Sequence, residues 1–225
     1  MLVLPWFGIA PVAHSQSITV PPSQEATSSS HFGAAVRKIV VDSDGGDVTI
    51  RPGNATVKHT DHWVYARPTV KSALSNGVLT VTSRCPNNAP LNNCWTEITA
   101  SVARKAVVEV KSSLGYIHVG GMRTSGVSAA TSLGDVVITD VEARTVKADT
   151  SNGDVKVNLP AAPDDTRLRT SNGDVTALVP KGKYALTLRD GYGDISVTGG
   201  VKNSPRAAHK LSARTSNGDI TIRGR

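Results

Sequence analysis

The chain contains few of the residues that favour helices. Among its 225 residues there are 4 Glu and 13 Leu, and both types are good helix formers. The β-branched residues are abundant instead, with 28 Val, 22 Thr and 10 Ile, and these favour strands. Asp numbers 14 and Gly 20, a bias typical of turns. Since 39% of the residues are hydrophobic, the chain can build a core. The composition therefore predicts an all-β protein.

The chain also lacks an apolar run long enough to span a bilayer. The apolar segment Met1–Ala13 has 13 residues, whereas a spanning helix needs about 20. It is similar to the hydrophobic part of a signal peptide, and Ala13-His14-Ser15 fits a small-x-small cleavage site, although no basic residue precedes it and the first is Arg37. We predict that residues 1–15 are the remnant of a signal or anchor. Packing of this segment on the domain is the alternative.

Two further segments complete the predicted organisation. Residues 16–35 are rich in Ser and Pro, which predicts an exposed linker. Residues 36–225 carry the alternating apolar pattern and are predicted to form one β domain.

Cysteine is scarce, with only Cys85 and Cys94 in the sequence. Two cysteines supply half of a tetrahedral metal site, and His59 and His62 would have to converge on them. Histidines three apart on a strand point to opposite faces, so we predict no metal site and no cofactor. A disulfide across the Pro/Asn-rich loop between the cysteines is favoured, which implies an oxidising compartment. Two free buried thiols are the alternative.

An internal repeat is the dominant feature of the sequence. Segments of the form Thr-Ser-Asn-Gly-Asp-Val/Ile occur three times nearly unchanged, and weaker copies precede and separate them. Between Gly115 and Gly193 the central glycines recur every 19 or 20 residues. The central glycines of all the copies are Gly46, Gly77, Gly115, Gly134, Gly153, Gly173, Gly193 and Gly218.

Each copy predicts a sharp corner followed by a strand. Gly supplies a positive φ, and Asn tolerates the left-handed region better than other residues. The Asp and Thr-Ser side chains can bond local backbone groups, and after them the sequence alternates with a period of two. The predicted corner residues besides the glycines are Asn76, Asn152, Asn172, Asn217, Asp47, Asp135, Asp154, Asp174, Asp194 and Asp219.

The regular period predicts a β-solenoid of about eight coils, each adding one rung. Only nine residues are aromatic, which suits a narrow interior filled by Val, Ile and Ala. Asn-Gly between alternating runs is also a hairpin signal, so a β-sandwich or a prism-like arrangement of sheets is the alternative.

The repeated corners, from Val36 to Arg225, resemble the bacterial putative-adhesin family, a domain of unknown function with a Gly-Asp repeat of about twenty residues. The resemblance implies an all-β, envelope-facing domain, often behind a signal sequence or a membrane helix. The sequence departs from the pattern after Gly77 and Gly115, where Val78 and Tyr116 replace the Asp.

Stacked coils would align several corner carboxylates in a column. With rungs about 4.8 Å apart, the residues Asp135, Asp154, Asp174 and Asp194 would repel one another unless compensated. Each of three arginines lies four positions before a corner glycine and could supply countercharge: Arg169, Arg189 and Arg214. We predict a structural role for the column, with cation binding as the alternative.

The sequence carries no recognisable catalytic motif. It has no Gly-x-Ser-x-Gly elbow, phosphate-binding loop or His-Glu-x-x-His segment. The net charge of +7 favours anionic partners such as phospholipid surfaces, wall polymers or acidic glycans. Nucleic acid is not expected, because the basic residues are dispersed and lack interleaved aromatics.

These features predict a non-catalytic, extracytoplasmic, adhesin-like module that is secreted or membrane-anchored at the cell envelope. The loops at residues 83–93 and 202–209 are its expected contact regions. One alternative is a structural protein that self-assembles by pairing of end strands, with Asp219–Arg223 as the exposed strand. Another is a carbohydrate-active β-helix enzyme of the envelope.

Overall fold

A computed structural model describes residues 21–33, 35–86 and 93–225. Its described residues form twenty strands in two ten-stranded sheets and contain no helix. The all-β prediction is therefore confirmed. The predicted signal or anchor segment, residues 1–15, lies outside the described residues. In the described part of the chain, no helix is long and apolar enough to cross a membrane.

The first sheet, sheet A, contains in spatial order β1 (Gln24–His31), β4 (Thr56–Trp63), β7 (Trp95–Val102), β3 (Val48–Pro52), β9 (Ile117–Gly120), β11 (Val136–Thr139), β13 (Val155–Asn158), β15 (Val175–Val179), β20 (Ile220–Gly224) and β17 (Ile195–Thr198). The second, sheet B, contains β18 (Val201–Asn203), β16 (Gly182–Arg189), β19 (Lys210–Arg214), β14 (Asp165–Arg169), β12 (Glu142–Asp149), β10 (Arg123–Leu133), β8 (Val107–Leu114), β2 (Lys38–Ser43), β6 (Val78–Arg84) and β5 (Thr69–Ser75).

From β8 to β18 the chain alternates between the sheets. β8, β10, β12 and β14 are parallel neighbours in sheet B, and β9, β11, β13 and β15 are parallel neighbours in sheet A. We call one sheet B strand and the sheet A strand that follows it a rung. Rung after rung repeats the same register, for example Val127↔Val108 and Val127↔Val146. Equivalent residues of successive repeats therefore lie side by side.

The spatial order of the rungs departs from their chain order at the C-terminal side. The rung β19–β20 inserts between β14–β15 and β16–β17, so that β20 pairs with both β15 and β17. The prediction that Asp219–Arg223 is an exposed end strand is therefore wrong. The outermost strand of sheet A on this side is β17. A local repeat cannot reveal this insertion, because every corner has nearly the same sequence.

The N-terminal side shows a similar exchange and adds antiparallel strands. The rung β2–β3 lies between β6–β7 and β8–β9. Beyond β7, sheet A continues with the antiparallel strands β4 and β1, and beyond β6, sheet B ends in antiparallel β5. β1 lies inside residues 16–35, so part of the segment predicted as an exposed linker is a strand. Its polar side chains suit an edge strand that is largely exposed.

The Asn76-Gly77 pair closes the β5–β6 hairpin. Both residues have positive φ, 50° and 73°, as the two central residues of a tight hairpin turn require. The sequence prediction placed this pair among the repeat corners. The structure instead places this pair at the start of β6, at the opposite end of the strand from the repeat corners. Here Asn-Gly forms a hairpin turn.

The core is a narrow apolar layer between the two sheets. Inward positions of each strand carry Val, Ile, Leu or Ala with almost no exposure, such as Ile50, Ile117 and Ile138. Each fully buried Val, Ile or Leu side chain contributes roughly 1.5–3 kcal/mol. Among the described aromatic side chains only Tyr184 is fully buried, which matches the small interior expected from the shortage of aromatics.

Candidate functional site

The repeat glycines form a continuous column along one corner of the two sheets. In spatial order the column contains Gly46, Gly115, Gly134, Gly153, Gly173, Gly218 and Gly193. At Gly173, for example, φ is +142° and an added Cβ would collide with the carbonyl oxygen of Gly153. Glycine is needed there both for the backbone conformation and for the close approach of the neighbouring rung.

The corner aspartates link each rung to the next. The Oδ1 atom of Asp135 accepts a hydrogen bond from the backbone N–H of Asp154 at 2.8 Å, and Asp154 accepts one from Asp174 at 2.9 Å. The series continues through Asp219 at 2.8 Å to Asp194 at 2.9 Å. Each of these carboxylates satisfies a backbone donor that the corner leaves unpaired.

Threonines and asparagines form two further ladders at the same corner. The hydroxyls of Thr150 and Thr170 donate to the carbonyls of Gly134 and Gly153 at 2.9 and 2.8 Å. The side-chain amide of Asn172 donates to the side-chain oxygen of Asn152 at 2.9 Å, and Asn217 continues the series at 2.8 Å. Side-chain hydrogen bonds thus hold the corner in register across several rungs.

A lysine supplies countercharge to the aspartate column. The Nζ atom of Lys156 lies 2.9 Å from Asp154 Oδ2 and 4.0 Å from Asp135 Oδ2. The backbone N–H of Asp174, and then the bond from Lys156, lower the pKa of Asp154. The bond to Asp154 in turn raises the pKa of Lys156. At Asp154 these contacts favour the ionised carboxylate.

The three arginines expected to compensate the column form a separate row. Arg169 is in register with Arg214, and Arg214 with Arg189, on β14, β19 and β16 of sheet B. All three are exposed, and among the described residues none forms an ion pair. The expectation that they neutralise the corner aspartates is wrong, because they lie on the outer face of the sheet, before the corner begins.

The sequence did not reveal the buried carboxylate of Asp61, which lies on the N-terminal side of the stack. Asp61 on β4 is 1% exposed. It accepts 2.8 Å bonds from Nε and Nη2 of Arg67 and lies 2.9 Å from Nδ1 of His59. The hydroxyl of Thr96 on β7 donates to it at 3.4 Å. The alternation of Val57, His59 and Asp61 on the inward face of β4 was the available signal.

His62 faces away from His59, as expected for residues three apart on a strand. Its ring stacks on Trp95 with centroids 4.7 Å apart, and Glu97 and Glu25 lie 3.6 and 3.8 Å from its ring nitrogens. Within the described ranges, no group of three or more His, Cys, Asp or Glu side chains is arranged to hold a metal ion.

The structure contains the disulfide between Cys85 and Cys94, whose Cα atoms are 5.9 Å apart. The two cysteines follow β6 and precede β7, so their loop replaces the Gly-Asp corner of this rung. The N–H of Cys85 donates to Asp44 Oδ2 at 3.0 Å and ties the loop to the adjacent rung. Residues 87–92 of the predicted contact loop lie outside the described residues.

The fold is shared with a solved bacterial protein of low sequence identity. A putative cell adhesion protein from Clostridium sporogenes ATCC 15579 is 16% identical and superposes with a TM-score of 0.55, covering 90% of this chain and 100% of that protein. A putative adhesin from Bacteroides fragilis NCTC 9343 is 13% identical with a TM-score of 0.45, covering 90% of this chain and 98% of that protein.

No curated protein matches the chain. The Toastrack DUF4097 family model, however, matches residues 36–223, a span that includes β2 to β20 and every corner of the glycine column. The chain belongs to the Toastrack DUF4097 family.

Proposed function

We propose that this chain is a β-solenoid that serves as a non-catalytic, adhesin-like surface module of the cell envelope. The alternation of strands between two parallel sheets, rung after rung, supports the solenoid architecture. The names of the structural neighbours from Clostridium sporogenes and Bacteroides fragilis point in the same functional direction.

The hydrogen bonds of the corner indicate which surfaces of the protein are available for recognition. Its repeated carboxylates, hydroxyls and amides bond neighbouring rungs, as with Asp154, Thr170 and Asn172. These groups stabilise the scaffold. The broad outer faces and the insertions are then the surfaces left for recognition, with residues 83–93 and 202–209 as the proposed contact loops.

The disulfide supports placement outside the cytoplasm. Structural disulfides persist in oxidising compartments, and Cys85–Cys94 closes a loop at the surface of the stack. Under this proposal residues 1–15 are the remnant of the export signal or membrane anchor, residues 16–35 lead into the fold, and 36–225 form the repeat domain.

The net charge of +7 supports anionic envelope polymers, glycans or phospholipid surfaces as partners. The test is binding of the full chain to an array of envelope polymers and anionic lipid vesicles, at low and at physiological salt. We expect saturable binding that persists at physiological salt. Binding that disappears with salt for every surface in the array would contradict the proposal, because it would reflect net charge alone.

Self-association through the outermost rung is a second candidate function. β17 pairs only with β20 among the described strands, and its residues Ile195 and Val197 are 47% and 36% exposed. An edge of this kind can accept a strand from another chain. Sedimentation at increasing concentration tests this candidate. Ile195→Lys should abolish any association, Ser28→Lys on the polar edge β1 is the matched control, and a concentration-independent monomer would exclude it.

A further inference from the structure

An unneutralised row of guanidinium groups marks one region of the outer face of sheet B. We call Arg169, Arg214 and Arg189 the arginine ladder. Their strands are parallel and in register, so their Cα atoms are about 4.8 Å apart from rung to rung. The ladder therefore runs along the stacking direction for about 10 Å.

Several other charged side chains on the same face form ion pairs. Lys38 bonds Glu109 at 2.9 Å and Arg167 bonds Asp165 at 2.9 Å. Even Asp149, which precedes Arg169 in the same row, lies 3.4 Å from Lys147. Within the described part of the chain the ladder arginines have no acidic partner.

Three adjacent like charges oppose folding. Neighbouring cations on one face of a sheet repel each other, and Asp149, the row neighbour of Arg169, is itself ion-paired with Lys147. An exposed Lys210 lies on the same face of β19, four residues before Arg214, and adds to the positive field. The row is thus electrostatically suited to a ligand that carries repeated negative charge.

We infer that the arginine ladder binds the phosphate groups of a linear polyanion laid along the stack. This inference rests on the proposed function and names its site and ligand class. Guanidinium binds phosphate with a planar fork of donors. A phosphate presents acceptor oxygens on several sides, so one group can bond arginines of two neighbouring rungs. A carboxylate has both of its acceptor oxygens in one plane, so fewer of its orientations allow it to bond arginines of two rungs at once.

The test compares two triple variants of equal charge. The ladder variant is R169Q/R214Q/R189Q. The control, R51Q/R104Q/R223Q, removes three arginines that lie away from the ladder and have no ion pair among the described residues. Binding of inorganic polyphosphate to the full chain is measured over a range of salt concentrations. Polygalacturonate and anionic lipid vesicles are separate arms.

We expect the ladder variant to bind polyphosphate more weakly and the control to bind nearly as the wild type does. The slope of log affinity against log salt should fall in magnitude by about 2 in the ladder variant, since each lost phosphate contact removes about 0.7. Polyphosphate should also raise the thermal midpoint of the wild type and not that of the ladder variant, which shows binding independently of any change in folding.

Four results would overturn the inference: equal loss in both variants, no polyphosphate binding by the wild type, equally tight binding of polygalacturonate, or ladder-dependent binding to vesicles alone. The proposed function and the ladder inference can be contradicted independently of each other. If an envelope polymer binds the wild type and the ladder variant equally, the proposed function stands and the ladder inference is wrong. If polyphosphate binds through the ladder and no envelope polymer binds, the ladder inference stands and the proposed function is wrong.

Discussion

The two ends of the stack are finished differently. On the N-terminal side, β4 and β1 extend sheet A and β5 extends sheet B, all three antiparallel. On the C-terminal side, sheet A stops at β17 and sheet B at the three-residue strand β18. The first end also holds buried Asp61 and the disulfide.

The difference shows how a repeat can be closed at one end and left accessible at the other. Parallel rungs of this kind present an open row of backbone groups at each end of the stack. Antiparallel strands with polar outer faces cover that row on the N-terminal side. On the C-terminal side, all four residues of β17 are exposed, and the arginine ladder lies in the same group of rungs. The proposed recognition site and the proposed self-association edge therefore both lie on the C-terminal side.

We expect the greatest loss of stability from a glycine substitution in an interior rung, and a smaller loss from the same substitution in the end rung. Gly173→Ala and Gly193→Ala would each place a Cβ against a carbonyl oxygen of the neighbouring rung, at positive φ. Gly173 has rungs on both sides, so we expect a loss of about 4 kcal/mol or more. The Gly193 rung can detach locally, which should limit its cost. Chemical denaturation measures both variants.

Gly33→Ala is the control for this pair, since an added Cβ there has no atom within 4 Å. Equal losses at positions 173 and 193 would contradict the distinction between interior and end rungs.

Removal of the buried carboxylate should weaken the covered end. Asp61→Asn replaces the carboxylate shared by Arg67 and His59 with a neutral amide that has only one acceptor oxygen. We expect a loss of about 3 kcal/mol in unfolding free energy. Asp42→Asn is the matched control. It removes an exposed carboxylate that bonds Arg84 at 2.6 Å, which should cost less than about 1 kcal/mol. Similar losses for the two variants would show that Asp61 is not a specific anchor.

Reduction of Cys85–Cys94 should also act on the covered end. The bond joins residues nine apart, and a loop of that length corresponds to about 2.5 kcal/mol in the chain-entropy account. Dithiothreitol should lower the thermal midpoint of the wild type. The variant C85S/C94S should start at that lower midpoint and show no response to dithiothreitol, and a further response would contradict the assignment.

We expect the smallest change in stability from the titration of Asp154 in the middle rungs. The pKa of Asp154 is lowered by the backbone N–H of Asp174 and by Lys156. A lowered pKa in the folded state means that the ionised form stabilises the fold. That stability is present above the unfolded value of about 3.9 and is lost as the pH falls below it. Denaturation at pH 7 and pH 3 should show a smaller loss for Asp154→Asn than for the wild type.

The sequence was sufficient for the strand class and for most of the repeat corners, but insufficient for strand β1, for the Asn76-Gly77 hairpin and for the order of the rungs. Composition and alternation predicted the all-β class, and the corner pattern placed Gly153 and Gly173 side by side because equal spacing aligns equal residues. Nothing local distinguishes the corner at Gly218 from its neighbours, so the insertion of β19–β20 could not be read from the repeat. Long-range pairing determines it.

The same limit applies to the candidate binding surface. The equal offset of Arg169, Arg189 and Arg214 from their corner glycines was visible in the sequence and was assigned to neutralisation of the aspartates. Only the strand register and the absence of ion pairs among the described residues show that these arginines face outward as a separate row.

Hydrogen exchange at the last rungs is the most direct test of the order in which the rungs stack. β20 lies between β15 and β17 although it is the last strand in the chain, whereas β17 is the outermost strand at this end of sheet A. Because β20 is an interior strand, we expect slow exchange of the amides of Ile220 and Ile222 and faster exchange at Ile195 and Val197. Faster exchange in β20 than in β17 would place β20 at the edge and contradict the rung order on which both the open end and the arginine ladder depend.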